Sequence, residues 1–149
     1  MNGCFLEFSS GVSDLGKGLG KKITDALSNS VVRHYDADTV REAWDDWAFD
    51  QNGRHRQAIR MRALAKLNSK YGIATIIDFV CPFNRFRNDK MWDVTIFMDT
   101  VNSSPYPDTD KIFEQPEKEP TYRIYSWDDV NKVALEIIEK IQSFEYEEE

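Results

Sequence analysis

Gly11-Val12-Ser13-Asp14-Leu15-Gly16-Lys17 sets two glycines five positions apart with a lysine directly after the second. This GxxxxGK spacing suits phosphate chemistry. Glycines let successive backbone N–H groups face one anion, a following helix N-terminus adds its dipole, and the lysine reaches the terminal phosphates. Gly11, Ser13, Asp14, Gly16, Lys17 and Gly18 are therefore the expected nucleotide-binding residues. Two positions depart from the pattern. Asp14 puts a carboxylate inside an anion cradle, and Gly18 stands where a serine or threonine hydroxyl would hold Mg²⁺. Restoring a hydroxyl at Gly18 is expected to strengthen Mg²⁺-nucleotide binding. A glycine-rich strand-to-helix turn without a ligand remains the plain alternative.

Asp36 and Asp38 lie two apart at the end of a strand-like run, so in extended chain both would face the same way. That arrangement suits a Mg²⁺ site or a base for a substrate hydroxyl. The alternative, a turn and helix cap before Thr39, accounts better for Asp38 than for Asp36. Asp78 interrupts an apolar run where a metal-linked carboxylate is expected, because an unpartnered acid there is costly. Arg41, Arg54 and Arg56 are candidates to grip phosphate or sulphate, while Arg60 and Arg62 read as surface ion-pair formers. Trp44, Trp47 and Phe49 read as core, with base stacking as the alternative; His34 and His55 receive no role.

These residues need elements to hold them. Residues 4–9, 31–35, 73–80, 93–98 and 122–125 read as strands, and 17–28, 39–47, 54–71 and 127–144 as helices. Ala58, Met61, Leu64, Ala65 and Asn68 make the inner stripe of the third helix, and Gly72 is placed to end it. Strands alternating with helices predict a three-layer α/β/α fold with a mainly parallel sheet, whose ligands sit beyond the carboxyl ends of the strands. Residues 100–120 hold four of the five prolines and read as a lid-like loop; residues 145–149 read as an acidic tail.

A chain of 149 residues is the size of a single domain spanning 1–149, and 41% hydrophobic residues suffice for a core. No apolar run is long enough for a membrane span, and the first residues lack the features of a signal peptide. Cys4 and Cys81 lack metal-type spacing and read as buried free thiols, which points to the cytoplasm. The net charge of −7 argues against a nucleic-acid surface, yet residues 16–90 carry fourteen Lys or Arg against nine Asp or Glu. A basic middle in an acidic chain suits a small anionic partner. Monomer or homodimer stays open.

In order along the chain, several segments resemble one family, the adenylylsulphate kinases, and especially their short phage-encoded kinase-like relatives. They are the glycine motif, the stretch from Tyr35-Asp36-Ala37-Asp38 through Arg41, and Gly53-Arg54-His55-Arg56-Gln57 through Arg62. Asp78-Phe79-Val80-Cys81-Pro82, Met98-Asp99-Thr100 and Asp108 to Phe113 continue the series. The resemblance implies a P-loop kinase that uses ATP and Mg²⁺ and phosphorylates the ribose 3′-hydroxyl of adenylylsulphate. Lys17 would hold ATP phosphates, Asp36 or Asp38 would orient the metal and the acceptor hydroxyl, and Asp78 is a further metal candidate. Arg41, Arg54 and Gln57 would hold the phosphosulphate region, with Pro82 shaping the loop beside it. The cation-rich lid of the family is reduced here to Lys111 and Lys118 between 101 and 120. A nucleotide-binding protein without catalysis, or a kinase of hydroxymethylated bases in DNA, are the competing readings.

Overall fold

Alternation along Cys4–Phe8 sends Cys4, Leu6 and Phe8 to one side of the chain and Phe5 and Glu7 to the other. All five residues are buried, so both sides of this strand, β1, must be covered. A computed structural model shows how. It describes residues 3–9, 14–27, 32–99 and 112–148, with the backbone alone for 14–16 and 144–148. Gly11, Ser13 and most of the lid-like loop therefore lie outside the described residues.

The elements that follow are α1 (Asp14–Ala26), β2 (Val32–Asp36), α2 (Ala37–Trp44), α3 (Gln51–Lys70) and β3 (Ala74–Phe79). Then come α4 (Asn84–Arg87), β4 (Val94–Met98), β5 (Tyr122–Ile124) and α5 (Trp127–Glu148). The five strands form one sheet in the order β2-β3-β1-β4-β5, and every neighbouring pair is parallel. On one face Leu19 and Ile23 of α1 and Val130, Ile137 and Ile141 of α5 pack on Phe5, Ile76 and Ile96. On the other, Val40 of α2, Met61 and Ala65 of α3 and Phe86 of α4 pack on Leu6, Ile77 and Phe97. Each such buried apolar side chain contributes on the order of 2 kcal/mol. The result is the expected three-layer arrangement.

Local chemistry sets the ends of α3. The Asp50 side chain caps it by accepting from the Gly53 N–H at 2.8 Å, so the helix starts three residues before the periodicity suggests. Gly72, at φ +70°, turns the chain out of it while its N–H bonds the Ser69 carbonyl. α1 also starts early, at Asp14, which puts Lys17 in its first turns. α5 runs on as helix through the acidic residues to Glu148. The short α4 carries no apolar periodicity and went unanticipated in the sequence.

Candidate functional site

Sheet register aligns three carboxylates at the carboxyl edge. Glu7 pairs in register with Asp78, and Asp78 with Asp36, across β1, β3 and β2. Residues in register on parallel strands face the same side, here the side of α1. His34, two residues before Asp36, joins them with Nε2 at 3.6 Å from Asp78 Oδ2. α1 presses on this row closely enough that a Cβ on Gly20 would overlap the His34 ring.

The row is electrostatically graded. Glu7 is fully buried, neither of its oxygens has a hydrogen-bond partner among the described residues, and burial with the nearby Asp78 charge raises its pKa well above the ordinary range. Burial also raises Asp78, against a partial offset from His34. Asp36 goes the other way: despite its burial, hydrogen bonds from the Thr39 N–H (2.9 Å) and hydroxyl (3.0 Å), then Lys17 and His34, lower it. Neighbouring carboxyls pushed apart in this way divide into a proton holder and an ionised acceptor.

Asp36 and Asp38 do not point together from an extended strand. Asp36 is the N-cap of α2, and Asp38 lies in the helix's first turn, so the backbone turns between them. The cap role falls to Asp36 because Thr39 stands three residues on with both a free N–H and a hydroxyl. Asp38 instead reaches across the edge, its Oδ2 3.7 Å from Lys17 Nζ, with both groups about half exposed or more. Lys17, Asp36, Asp38 and Asp78 thus gather around the start of α1.

A second group lies on the α2–α3 side. Arg41 and Arg54 are both buried, yet much of their bonding capacity serves the connection between the helices. Arg41 Nη1 donates to the Asp46 and Ala48 carbonyls at 3.0 Å, and Arg54 Nε to that of Phe49 at 2.8 Å. Their guanidinium groups lie 4.3 Å and 5.5 Å from the centre of the Phe49 ring, which is half exposed. Burial and the adjacent Arg54 charge lower the Arg41 pKa. Gln57 ties α3 to the start of α2 through the Ala37 carbonyl (3.1 Å). Trp44, Trp47 and Phe49 are not core residues; each is about half exposed, because the loop they flank is held by the arginines rather than by apolar burial.

Asp46 accepts from Arg56 and Arg60, so Arg56 is also spent on an ion pair, as are Arg60 and, with Asp89, Arg62. Pro82 follows Cys81, whose φ of +46° is rare without glycine, and its carbonyl accepts from the Glu114 N–H at 2.8 Å. It anchors the 112–118 stretch to the end of β3. His55 is not isolated either, its Nδ1 lying 3.1 Å from Arg85 Nη2.

Gly18 has a packing role. A Cβ there would come within 2.5 Å of the Trp127 indole at the head of α5. The missing hydroxyl is thus not a simple deletion, since an aromatic ring fills the adjoining space. Among the described residues no group of three or more His, Cys, Asp or Glu is arranged to hold a metal ion. Mg²⁺ on a nucleotide needs only one or two carboxylates beside the phosphates, and the Asp36–Asp78 edge is compatible with that.

The sequence profile of the adenylylsulphate kinase family matches residues 3–103, which contain the whole of this edge. The chain belongs to the adenylylsulphate kinase family. No curated protein sequence matches it. The fold is similar to that of the APS kinase CysC of Mycobacterium tuberculosis in complex with AMPPNP and APS. The TM-score is 0.71 at 16% identity, covering 93% of this chain and 98% of that one. The protein APE1195 is similar at TM-score 0.69 and 17% identity, over 96% of this chain and 97% of that one. A cysteine-to-alanine mutant of the mycobacterial enzyme follows at 0.66 and 16%, over 93% and 97%. At such identity the structural likeness concerns the fold.

Within this adenylylsulphate kinase framework, the reading of the sequence missed Glu7 and His34. Both are polar residues on the α1-facing alternation of β1 and β2, and only the sheet register brings them beside Asp78. Among the described residues no helix is long and apolar enough to cross a membrane, and Cys4 and Cys81 are buried and form no disulfide.

Proposed function

We propose that this protein is an ATP-dependent kinase that phosphorylates a hydroxyl of adenylylsulphate or a related small nucleotide. The convergence of Lys17, Asp36, Asp38 and Asp78 at the start of α1 carries the reading. Lys17 would hold the ATP phosphates with the other residues of the glycine motif, and Asp36 and Asp78 would hold Mg²⁺, which supplies charge neutralisation between the phosphates. The acceptor hydroxyl attacks the γ-phosphorus, its bond to the β–γ bridging oxygen breaks, ADP leaves, and the hydroxyl proton passes to Asp36 or Asp38. Arg41, Arg54 and Gln57 would form the acceptor wall, where Phe49 offers an exposed ring face between two guanidinium groups. A reducing cytoplasmic setting fits the two buried thiols.

Titration calorimetry of ATP with and without Mg²⁺, together with a coupled ADP-release assay on adenylylsulphate, tests this. Lys17→Ala should lower ATP affinity at least tenfold, and wild-type protein that binds no ATP at millimolar concentration would refute the reading. One observation favours a second reading, a nucleotide-binding protein without catalysis: the Trp127 ring beside Gly18. ATP binding with no ADP release for any small nucleotide acceptor would select it.

A further inference from the structure

Side-chain bonds fix the start of α5. Ser126 Oγ accepts from the Asp129 N–H at 3.4 Å, and Asp129 Oδ2 accepts from the Tyr125 N–H at 2.9 Å, a reciprocal arrangement of the capping-box kind. Trp127 is the first residue of the helix so capped. It follows β5 at the carboxyl edge of the sheet, where ligands of parallel α/β folds bind. Its indole stands against α1 at Gly18, the residue after Lys17.

The contact is edge-on. A Cβ on Gly18 would lie 2.5 Å from both Cη2 and Cζ3 of the indole but 3.8 Å from Cζ2. Above a ring face, Cζ2 would be little farther away than the other two. The spread is that of an approach within the ring plane, so α1 meets the rim of the indole and neither ring face is spent on Gly18. Trp127 is 50% exposed, and among the described residues no cation or second aromatic ring lies over it. Most other exposed aromatics lie elsewhere, Trp44, Trp47 and Phe49 about the α2–α3 connection and Tyr71 at the end of α3. Trp127 therefore stands as an upright wall beside the start of α1, with ring face open to solvent.

A nucleotide held by its phosphates at Lys17 leaves its base to be placed near that helix start. Every nucleobase has a π face, and an open indole face is the kind of surface on which such a ring stacks. We propose that Trp127 is the base platform of the nucleotide site, stacking the base of a nucleotide whose phosphates lie at the glycine motif. The inference rests on nucleotide binding at Lys17 and holds whether or not that nucleotide is a phosphate donor. Gly18 then has a ligand-directed reason to lack a side chain, since a Cβ would push the platform off the helix.

Calorimetric titration of ATP and of inorganic tripolyphosphate, which offers phosphates without a base, into the full chain and its variants tests this. Trp127→Ala should weaken ATP about fivefold or more and leave tripolyphosphate affinity unchanged. Trp127→Phe, which keeps a ring face, should recover most of the ATP affinity while losing the quenching of tryptophan emission that ATP causes in wild type. Circular dichroism checks that both variants are folded. ATP affinity unchanged in Trp127→Ala, or an equal loss for ATP and tripolyphosphate, would overturn the platform. If ATP binding is also lost in Lys17→Ala, the nucleotide site itself survives that result. Wild-type protein that binds neither ATP nor tripolyphosphate would overturn both.

Discussion

Gly18 and Trp127 compete for one volume, and this decides what a hydroxyl at position 18 would do. From the sequence, Gly18→Ser should restore a metal ligand; beside the indole, its Cβ must first displace the ring. Trp127 is half exposed, so the ring can move at modest cost. Gly18→Ser should therefore lower stability by about 1 kcal/mol, shift Trp127 emission to the red, and leave Mg²⁺ dependence of ATP binding unchanged. Adding Trp127→Ala should restore the stability and reveal the metal dependence, in a double-mutant cycle read by urea melts and calorimetry. Additive stability losses would show that the two side chains do not meet. Glu7 gives a second residue-scale test. Its folded pKa lies well above its ordinary value of 4.5, so as pH rises past that value the unfolded chain releases a proton that the folded chain keeps. Folding stability from this group is complete below the unfolded pKa and falls as pH rises, by about 1.4 kcal/mol per unit until the folded pKa is reached. Asp78, raised in the same direction, contributes with the same sign. Glu7→Gln should flatten the fall in stability that begins above pH 4.5 and make the protein more stable on the alkaline side of that fall. Parallel profiles for the two proteins would contradict the burial of an ionisable Glu7.

At the scale of elements, the connection between α2 and α3 concentrates the constraint. Arg41 and Arg54 hold its carbonyls, Asp46 is clasped by Arg56 and Arg60, and Asp50 caps the helix that follows. Gly53 closes the packing: a Cβ there would lie 2.7 Å from Ala48 Cβ and nearer still to its carbonyl oxygen. Because the obstruction includes backbone, it cannot swing aside. Gly53→Ala should cost about 1–3 kcal/mol despite the better helix propensity of alanine, seen as a lower urea midpoint. The variant should also bind adenylylsulphate more weakly than ATP, if Phe49 and the arginines face the acceptor. This connection was the least legible part of the sequence. Its aromatics looked like core because hydrophobic type was read without the arginine bonds that position them. Helix α3 was legible in its stripe, but its start depended on Asp50 reaching the Gly53 N–H, a side-chain bond that periodicity does not report. Likewise Asp36 and Asp38 were recognised as chemically important, and their orientation was missed because Asp36, accepting from Thr39, caps α2 and starts that helix at Ala37, two residues earlier than expected.

For the whole molecule, the alternation of β1 through β5 with helices was enough to predict the parallel three-layer fold. Buried strands such as Ala74–Phe79 leave few alternatives to helices on both faces. The pairing of Glu7 with Asp78 was not available at that level, since it depends on the β1–β3 register. That same sheet bears on whether the chain unfolds as a unit. Its two faces carry separate apolar clusters, one under α1 and α5 and one under α2, α3 and α4, and they share only the strands between them. Two tryptophans report them independently: Trp127 lies against Gly18 on the first face, and Trp92 is buried in the second, its indole N–H bonded to the Phe86 carbonyl at 2.9 Å. Every residue of β1 is buried, with side chains alternating between the clusters, so neither face can open without stripping cover from the central strand. Unfolding should therefore be one cooperative transition. In urea, a variant keeping only Trp92 and another keeping only Trp127 should each give a fluorescence midpoint that coincides with its own far-ultraviolet circular dichroism. Loss of the Trp127 signal at a denaturant concentration where Trp92 and the helical signal remain native would instead assign the two faces to separate cooperative units, joined by the sheet but not stabilised by each other.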